Sequence, residues 1–182
     1  MPERLRTKQF RILRELDLPS DDLLIAGSAP LYVRGLRDQM SDLDVVARGE
    51  ALRRVLLLGE AHPAPCDGAL SIRLMGGQLE ITNAWFVSIF GGVEELFARG
   101  ERIGDLQFLT LPDTETWKRR LSRPKDRIDL LRIAKSARED RSGRKSRYQT
   151  RIAPRVGRSP EPSAAMSERG LAMMTSAPRR TL

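Results

Sequence analysis

A mixed α/β fold (α+β in its ordering), with a small mixed sheet flanked by helices and a disordered basic C-terminal tail, is what this sequence predicts, and three observations predict it. Short apolar runs of strand length gather in the middle of the chain, at residues 23–26, 43–47, 69–75, 78–83 and 106–111. Stretches with a helical period surround them. The composition then changes at residue 140. Residues 141–182 hold ten Lys/Arg against two acids, which accounts for the whole net charge of +8. That segment is rich in Arg, Ser, Pro, Ala and Gly, with Tyr148 its one aromatic, so it buries too little apolar surface to offset the entropy of ordering. The 182 residues suit one folded domain, 1–140, and a low-complexity tail, 141–182.

Residues 3–17 carry Leu5, Phe10, Ile12, Leu13 and Leu16 among charges, the pattern of an amphipathic helix. Leu-Leu-Ile-Ala at 23–26 reads as a short buried strand, after which Ser28 opens a short helix over 29–35. Residues 43–47 give the second strand, and 50–58 a helix that Gly59 ends. The stretch from His62 to Gly68 reads as loop, with His62 facing solvent. Strands at 69–75 and 78–83 are joined by Gly76-Gly77, which supplies the positive φ of a tight hairpin turn. Beyond Trp85 a helix is expected over 93–98, a strand over 106–111, and closing helices over 113–121 and 124–138, with Pro112 and Pro124 at helix starts.

Cys66, the one cysteine, has no partner for an intramolecular disulfide, and no Cys/His cluster is spaced for zinc. The charged opening has no apolar stretch of signal-peptide length, and no run approaches the roughly 18 apolar residues of a membrane span. A soluble, cytoplasmic protein without a membrane partner is expected. Residues 1–140 balance at 22 of each sign, so the basicity belongs to the tail. Such a tail neutralises RNA phosphates, binds an acidic partner, or is simply solvated.

Chemistry concentrates between residues 24 and 46. An apolar strand runs into Gly27-Ser28, and the next strand carries Asp42 and Asp44. Alternation puts both carboxylates on one face, about 7 Å apart, with Leu43 and Val45 turned to the core. Oxygen ligands in that arrangement suit Mg²⁺, which keeps positions open for water and phosphate oxygens. Gly27 lets backbone approach a phosphate chain closely, and Ser28 offers a hydroxyl and an amide at a helix start; a plain helix cap is the other reading of the same pair.

With these residues in this order the chain resembles the nucleotidyltransferase superfamily, the polymerase-beta-like fold, closest to its minimal and abortive-infection toxin-like branch. In that superfamily a strand ends in Gly-Ser, a short helix follows, and the next strand bears an Asp-x-Asp pair. Gly27-Ser28 and Asp42-Leu43-Asp44 take those places, about fourteen residues apart. A third carboxylate between apolar neighbours is matched by Leu79-Glu80-Ile81. Lys118 and Arg123-Pro124-Lys125-Asp126 correspond to a Lys on a helix and an Arg-x-Lys-Asp stretch in the toxin-like branch. The likeness covers roughly residues 20–136.

The resemblance implies a metal-dependent transfer of a nucleoside monophosphate from a nucleoside triphosphate to an acceptor hydroxyl, on RNA, a tRNA end or a protein. Asp42, Asp44 and Glu80 are then the catalytic carboxylates and the ligands of Mg²⁺ (or Mn²⁺), and Gly27, Ser28, Lys118 and Lys125 bind the nucleotide. A toxin of a toxin–antitoxin or abortive-infection system, with an antitoxin as partner, is the implied role. The chain is shorter than the fuller toxin pattern and shows no large additional domain to shape an acceptor pocket, which leaves the acceptor open.

Each residue also has a plainer reading. Glu80 fits an exposed edge-strand position, Lys118 and Lys125 fit surface lysines, and Asp126 and Asp129 fit exposed helix pairs with Arg123, Arg127 or Arg132. Trp85 and Trp117 fit core or rim packing, with base stacking open for Trp85. At the level of the whole protein, the alternatives are a non-catalytic module of the same fold that binds nucleic acid or a partner through its tail, and a small RNA-binding protein. Three clustered acids argue against the first, since their mutual repulsion is destabilising without a metal.

Overall fold

The computed structural model describes residues 3–64 and 68–149, with side chains described as far as Glu139. Cys66 and residues 150–182 of the tail lie outside the described residues. The elements in chain order are α1 (Lys8–Glu15), β1 (Leu23–Ile25), α2 (Ala29–Val33), β2 (Leu43–Ala47), α3 (Gly49–Val55), β3 (His62–Pro63), β4 (Leu70–Leu74), β5 (Leu79–Thr82), α4 (Val87–Phe90), α5 (Val93–Arg99), β6 (Glu101–Ile103), β7 (Leu106–Phe108), α6 (Leu111–Leu121) and α7 (Pro124–Gln149).

Among the described residues the strands form one seven-stranded sheet in the order β3-β4-β5-β2-β1-β7-β6. The sheet is mixed: β1 runs parallel to β7 and β2 parallel to β5, while the other neighbours are antiparallel. The β4–β5 hairpin turns through a single 3-10 turn, Met75–Gly77, with Gly76 at φ 66° and Gly77 at φ 86°, as the Gly-Gly pair requires.

Strand alternation divides the core into two layers. Ile25, Leu43, Val45, Ala47, Leu79, Ile81 and Phe108 point to one face, where they pack with Phe10 and Leu13 of α1 and Ala51 and Val55 of α3. Leu24, Val46 and Leu109 belong to the other layer, with Trp85, Phe86, Phe90, Leu96, Phe97 and Trp117.

Three expectations change. The single long N-terminal helix is a 3-10 turn, Glu3–Arg6, followed by α1. The loop at His62 contains the two-residue edge strand β3, where Pro63 is tolerated because an edge strand leaves one side unpaired. The expected strand at 106–111 is the shorter β7, and its partner β6 was hidden because Glu-Arg-Ile shows no apolar alternation. In addition, α7 continues past residue 140 to Gln149, into the stretch expected to be disordered. Among the described residues no helix is long and apolar enough to cross a membrane.

Candidate active site

The acids meet through register. β2 and β5 run parallel with Asp44 opposite Glu80, and β5 pairs antiparallel with β4 so that Arg73 lies opposite Glu80. Asp44, Glu80 and Arg73 therefore form a row across three adjacent strands. Asp42 precedes Asp44 by two residues on the same face. Ser41 donates its hydroxyl to Asp42 Oδ1 at 2.6 Å, and Arg73 Nε stands 3.4 Å from Glu80 Oε1. Burial pushes the Asp44 carboxyl up to about 7; Asp42 and Glu80 add to the rise, while Lys125 and Lys118 oppose it.

Gly27 follows β1 and sits at φ 62°. A Cβ there would lie 2.7 Å from Asp44 Cγ and closer still to its Oδ2. The Asp44 carboxylate by itself therefore makes glycine necessary at this position. Ser28 caps α2 through its backbone carbonyl, which accepts from Leu31 and Tyr32 N–H at 3.1 Å each; its side chain makes no cap hydrogen bond. The hydroxyl lines the same cavity as the acids.

Across that cavity stand the basic residues of α6, α7 and the turn between them. Lys118 is 2% exposed, and its ammonium lies 3.3 Å from Asp126 Oδ1 and 2.9 Å from Asp129 Oδ2. Asp126 and Asp129 are themselves buried, at 0% and 1% exposure, rather than exposed helix pairs. Asp129 also holds Arg37 at 3.2 Å and Arg132 at 3.0 Å. Asp126 accepts from the Arg123 side chain at 2.7 Å and from its backbone N–H at 3.2 Å. Burial alone would raise the Asp126 carboxyl; hydrogen bonds from Arg123 and the nearby Lys118 charge outweigh it and hold it below the ordinary carboxylate range. Lys125 is exposed at the start of α7 and acts on Asp44 through the cavity.

The remaining wall is aromatic. Trp85 meets Phe86 edge-on at 5.2 Å and Trp117 edge-on at 5.6 Å, and Phe86 stacks on Trp117 with centroids 5.7 Å apart and 11° between planes. The enclosed space is about 430 Å³, the scale of a small-molecule site.

One cavity thus brings together Gly27, Ser28, Asp42, Asp44, Glu80, Lys118 and Lys125, all seven of the sequence-predicted site residues. Their states differ from the simplest expectation in two respects. Lys118 is a buried group already committed to two carboxylates, not a free surface cation. Glu80 has Arg73 as its ionic partner, and among the described residues no group of three or more His, Cys, Asp or Glu is drawn to metal-ligand spacing. Sequence reasoning missed Arg37 and Phe86 as cavity residues, and it gave Arg123 no role of its own in the site. His62 is exposed on β3, as expected. No protein-family model matches the chain, and neither a curated protein nor a solved structure is detectably similar to it.

Proposed function

We propose that this protein is a metal-dependent nucleotidyltransferase that moves a nucleoside monophosphate from a nucleoside triphosphate to an acceptor hydroxyl. The observation that carries the reading is the row of Asp44 opposite Glu80, with Asp42 on the same face, at one side of a cavity whose other side is cationic. Carboxylate oxygens are the donors that Mg²⁺ or Mn²⁺ takes, and the Asp44 carboxyl is raised by its burial and then by the neighbouring acids Asp42 and Glu80, charge that a cation would offset. Asp42, Asp44 and Glu80 would hold the ion. When bound, it supplies stabilisation of charge on the transferring phosphoryl group and lowers the pKa of the attacking hydroxyl.

The chain's own residues do the rest. Lys125 and Arg123 neutralise phosphate oxygens in the cavity, and Lys118 adds its charge from behind, fixed by Asp126 and Asp129. The Ser28 hydroxyl donates to a phosphate oxygen. The acceptor oxygen forms a bond to the α-phosphorus, the bond to the β-phosphate oxygen breaks, and pyrophosphate leaves. RNA, a tRNA end and a protein hydroxyl are the acceptor classes we propose, in the setting of a toxin neutralised by an antitoxin. One feature favours a second reading, a non-catalytic nucleotide-binding module: Glu80 already has Arg73 as its ionic partner, and among the described residues no three acids stand at metal-ligand spacing.

Incubation with each α-labelled nucleoside triphosphate, Mg²⁺ and total RNA or lysate separates the two. Label on a macromolecule that disappears with chelator supports transfer. Nucleotide binding with no label on any acceptor supports the module.

A further inference from the structure

We infer that Arg4 and Gln9, which lie outside the cavity, are positioning residues for Asp42; the role given to Asp42 rests on the nucleotidyltransferase reading. Asp42 stands one residue before β2, at the end of the loop 34–42 that follows α2. The backbone bonds of this loop stop at Leu36, whose N–H donates to Leu31 O at 2.9 Å, and resume at Leu43, whose N–H donates to Gln78 O at 3.0 Å. Among the described residues no backbone–backbone hydrogen bond holds residues 37–42, and Asp38, Gln39 and Ser41 are exposed. A segment of that kind belongs to the low-stability end of a fold unless something else fixes it, whereas a metal site needs its carboxylates held within about 0.5 Å.

Side chains do the holding. Arg4 Nη1 donates to Arg37 O at 2.6 Å and to Tyr32 O at 3.2 Å, and the guanidinium lies over the Tyr32 ring, 5.1 Å from its centroid. The 3-10 turn that carries Arg4 is itself fixed: Leu5 is fully buried in the core, and its carbonyl accepts from Arg14 Nη1 at 2.9 Å. Gln9, on α1, stands with Nε2 3.4 Å from both Met40 O and Ser41 O, the last two carbonyls before Asp42. Arg4 thus fixes the start of the stretch and Gln9 its end. The Arg37 side chain reaches the other way, to Asp129 at 3.2 Å. One loop residue is therefore gripped by its carbonyl from behind the site and by its side chain from the cationic wall, which ties the place of the loop to that of Lys118.

The consequence for the site is geometric. Asp44 and Glu80 are fixed by sheet register, whereas Asp42 is fixed by this loop. Ser41 donates to Asp42 Oδ1, so the orientation of that carboxylate depends on the backbone that Gln9 touches. A metal shared by the two aspartates therefore reads where the loop stands. Neither Arg4 nor Gln9 falls within the stretch 20–136 that resembles the nucleotidyltransferases, and neither lines the cavity.

The test uses the full chain. Arg4→Met keeps an unbranched stem over Tyr32 and removes the donors, while Arg4→Lys keeps the charge and a donor; Gln9→Ala is read in its place if Arg4→Met does not fold. Tryptic cleavage after Arg37 is followed by mass spectrometry, Mn²⁺ is titrated alone, and transfer is measured at saturating nucleotide. Arg4→Met is expected to speed cleavage after Arg37 with none gained after Arg73 on β4, to weaken Mn²⁺ binding about ten- to a hundredfold, and to lower turnover about a hundredfold. Arg4→Lys should recover much of each. A merely structural Arg4 would instead open the whole sheet to cleavage and leave Mn²⁺ affinity per folded molecule unchanged. That result, or unaltered Mn²⁺ affinity and turnover in Arg4→Met when the parent transfers nucleotide, overturns the positioning role and leaves the transferase reading standing. Weakened Mn²⁺ binding in the variant of a parent that transfers nothing supports the positioning role and removes the transferase. A parent that neither binds Mn²⁺ nor transfers overturns both.

Discussion

The two faces of the sheet are made from the same strands, one side chain out of step, and they have been put to different uses. On the face that packs against α1 and α3, the central strands contribute aliphatic or aromatic groups without interruption: Leu43, Val45 and Ala47 from β2, Leu79 and Ile81 from β5, Phe108 from β7. On the other face, β2 presents Val46 to an apolar layer but Asp44 to a cavity, and β5 presents both Glu80 and Thr82 to that cavity. One face can therefore be built from transfer free energy alone. The other must balance desolvation of its acids against nearby cations, and it does so incompletely, as the high Asp44 carboxyl shows. The contrast shows that a site here is a local failure of the core pattern, one residue away from positions that obey it.

Adjacent substitutions test this most sharply. Asp44→Asn should lower nucleotide transfer by several orders of magnitude with the fold retained, whereas its neighbour Leu43→Ala should lower stability by about 2–5 kcal/mol with little change in turnover per folded molecule. Transfer assays paired with urea unfolding read both. Equal turnover in Asp44→Asn and the parent would break the comparison.

Asp129→Ala removes a carboxylate that is 1% exposed and faces Lys118, Arg37 and Arg132 at once. Leaving the buried Lys118 ammonium without this carboxylate should cost about 3–5 kcal/mol, visible as an earlier denaturation midpoint. A change below about 1 kcal/mol would mean that the basic side of the cavity is not held by this network.

Titration gives the next largest effect. The Asp44 carboxyl sits at about 7 in the folded chain against an ordinary 3.8. The folded state then binds more protons than the unfolded one between about pH 4 and 7, so stability falls as pH rises through that window. Asp44→Asn should abolish the fall and leave the variant more stable at pH 8 by up to about 4 kcal/mol. Because a cation and a proton compete for this group, the acidic limb of the transfer profile should move to lower pH as Mg²⁺ is raised. Parallel stability profiles for the two proteins from pH 4 to 8 would sink the account.

The smallest effect is expected of Arg73→Ala. Arg73 is 54% exposed, so its pair with Glu80 contributes about 0–1 kcal/mol to stability. Half-saturation by Mg²⁺ should still shift, toward tighter binding if Arg73 competes with the ion for Glu80. An unchanged metal dependence would leave Glu80 as an ordinary strand residue with an ionic neighbour.

The acidic side of this site was legible in the sequence because strand periodicity is a short-range rule. Asp42 and Asp44 share a face by alternation, Glu80 sits between two apolar residues, and Gly76-Gly77 announces the turn that places its strand. On the basic side the resemblance singled out Lys118 and Lys125, but not the contacts that hold them. Lys118 belongs to the run Lys-Arg-Arg, which looks like a solvated helix end, and its partners lie beyond the next turn. Asp129 has an ordinary i,i+3 arginine in Arg132, which conceals its bond to Arg37, 92 residues away. The aromatic wall joins Trp85 and Phe86 to Trp117 across a hairpin and two helices. Contacts of that sequence separation leave no periodic trace. Edge strands β3 and β6 were missed for a different reason: they bury too little for an apolar pattern to arise.

Gly27 carries a consequence for how this chain can vary. Its missing Cβ leaves the space that the Asp44 carboxylate fills, so positions 27 and 44 occupy one shared volume. Gly27→Ala, ordinarily a mild change, would set a methyl group where the Asp44 carboxylate stands and evict the acid. The two positions can therefore drift only as a pair. In a library randomised at both, functional clones should be confined to combinations whose joint volume matches glycine with aspartate.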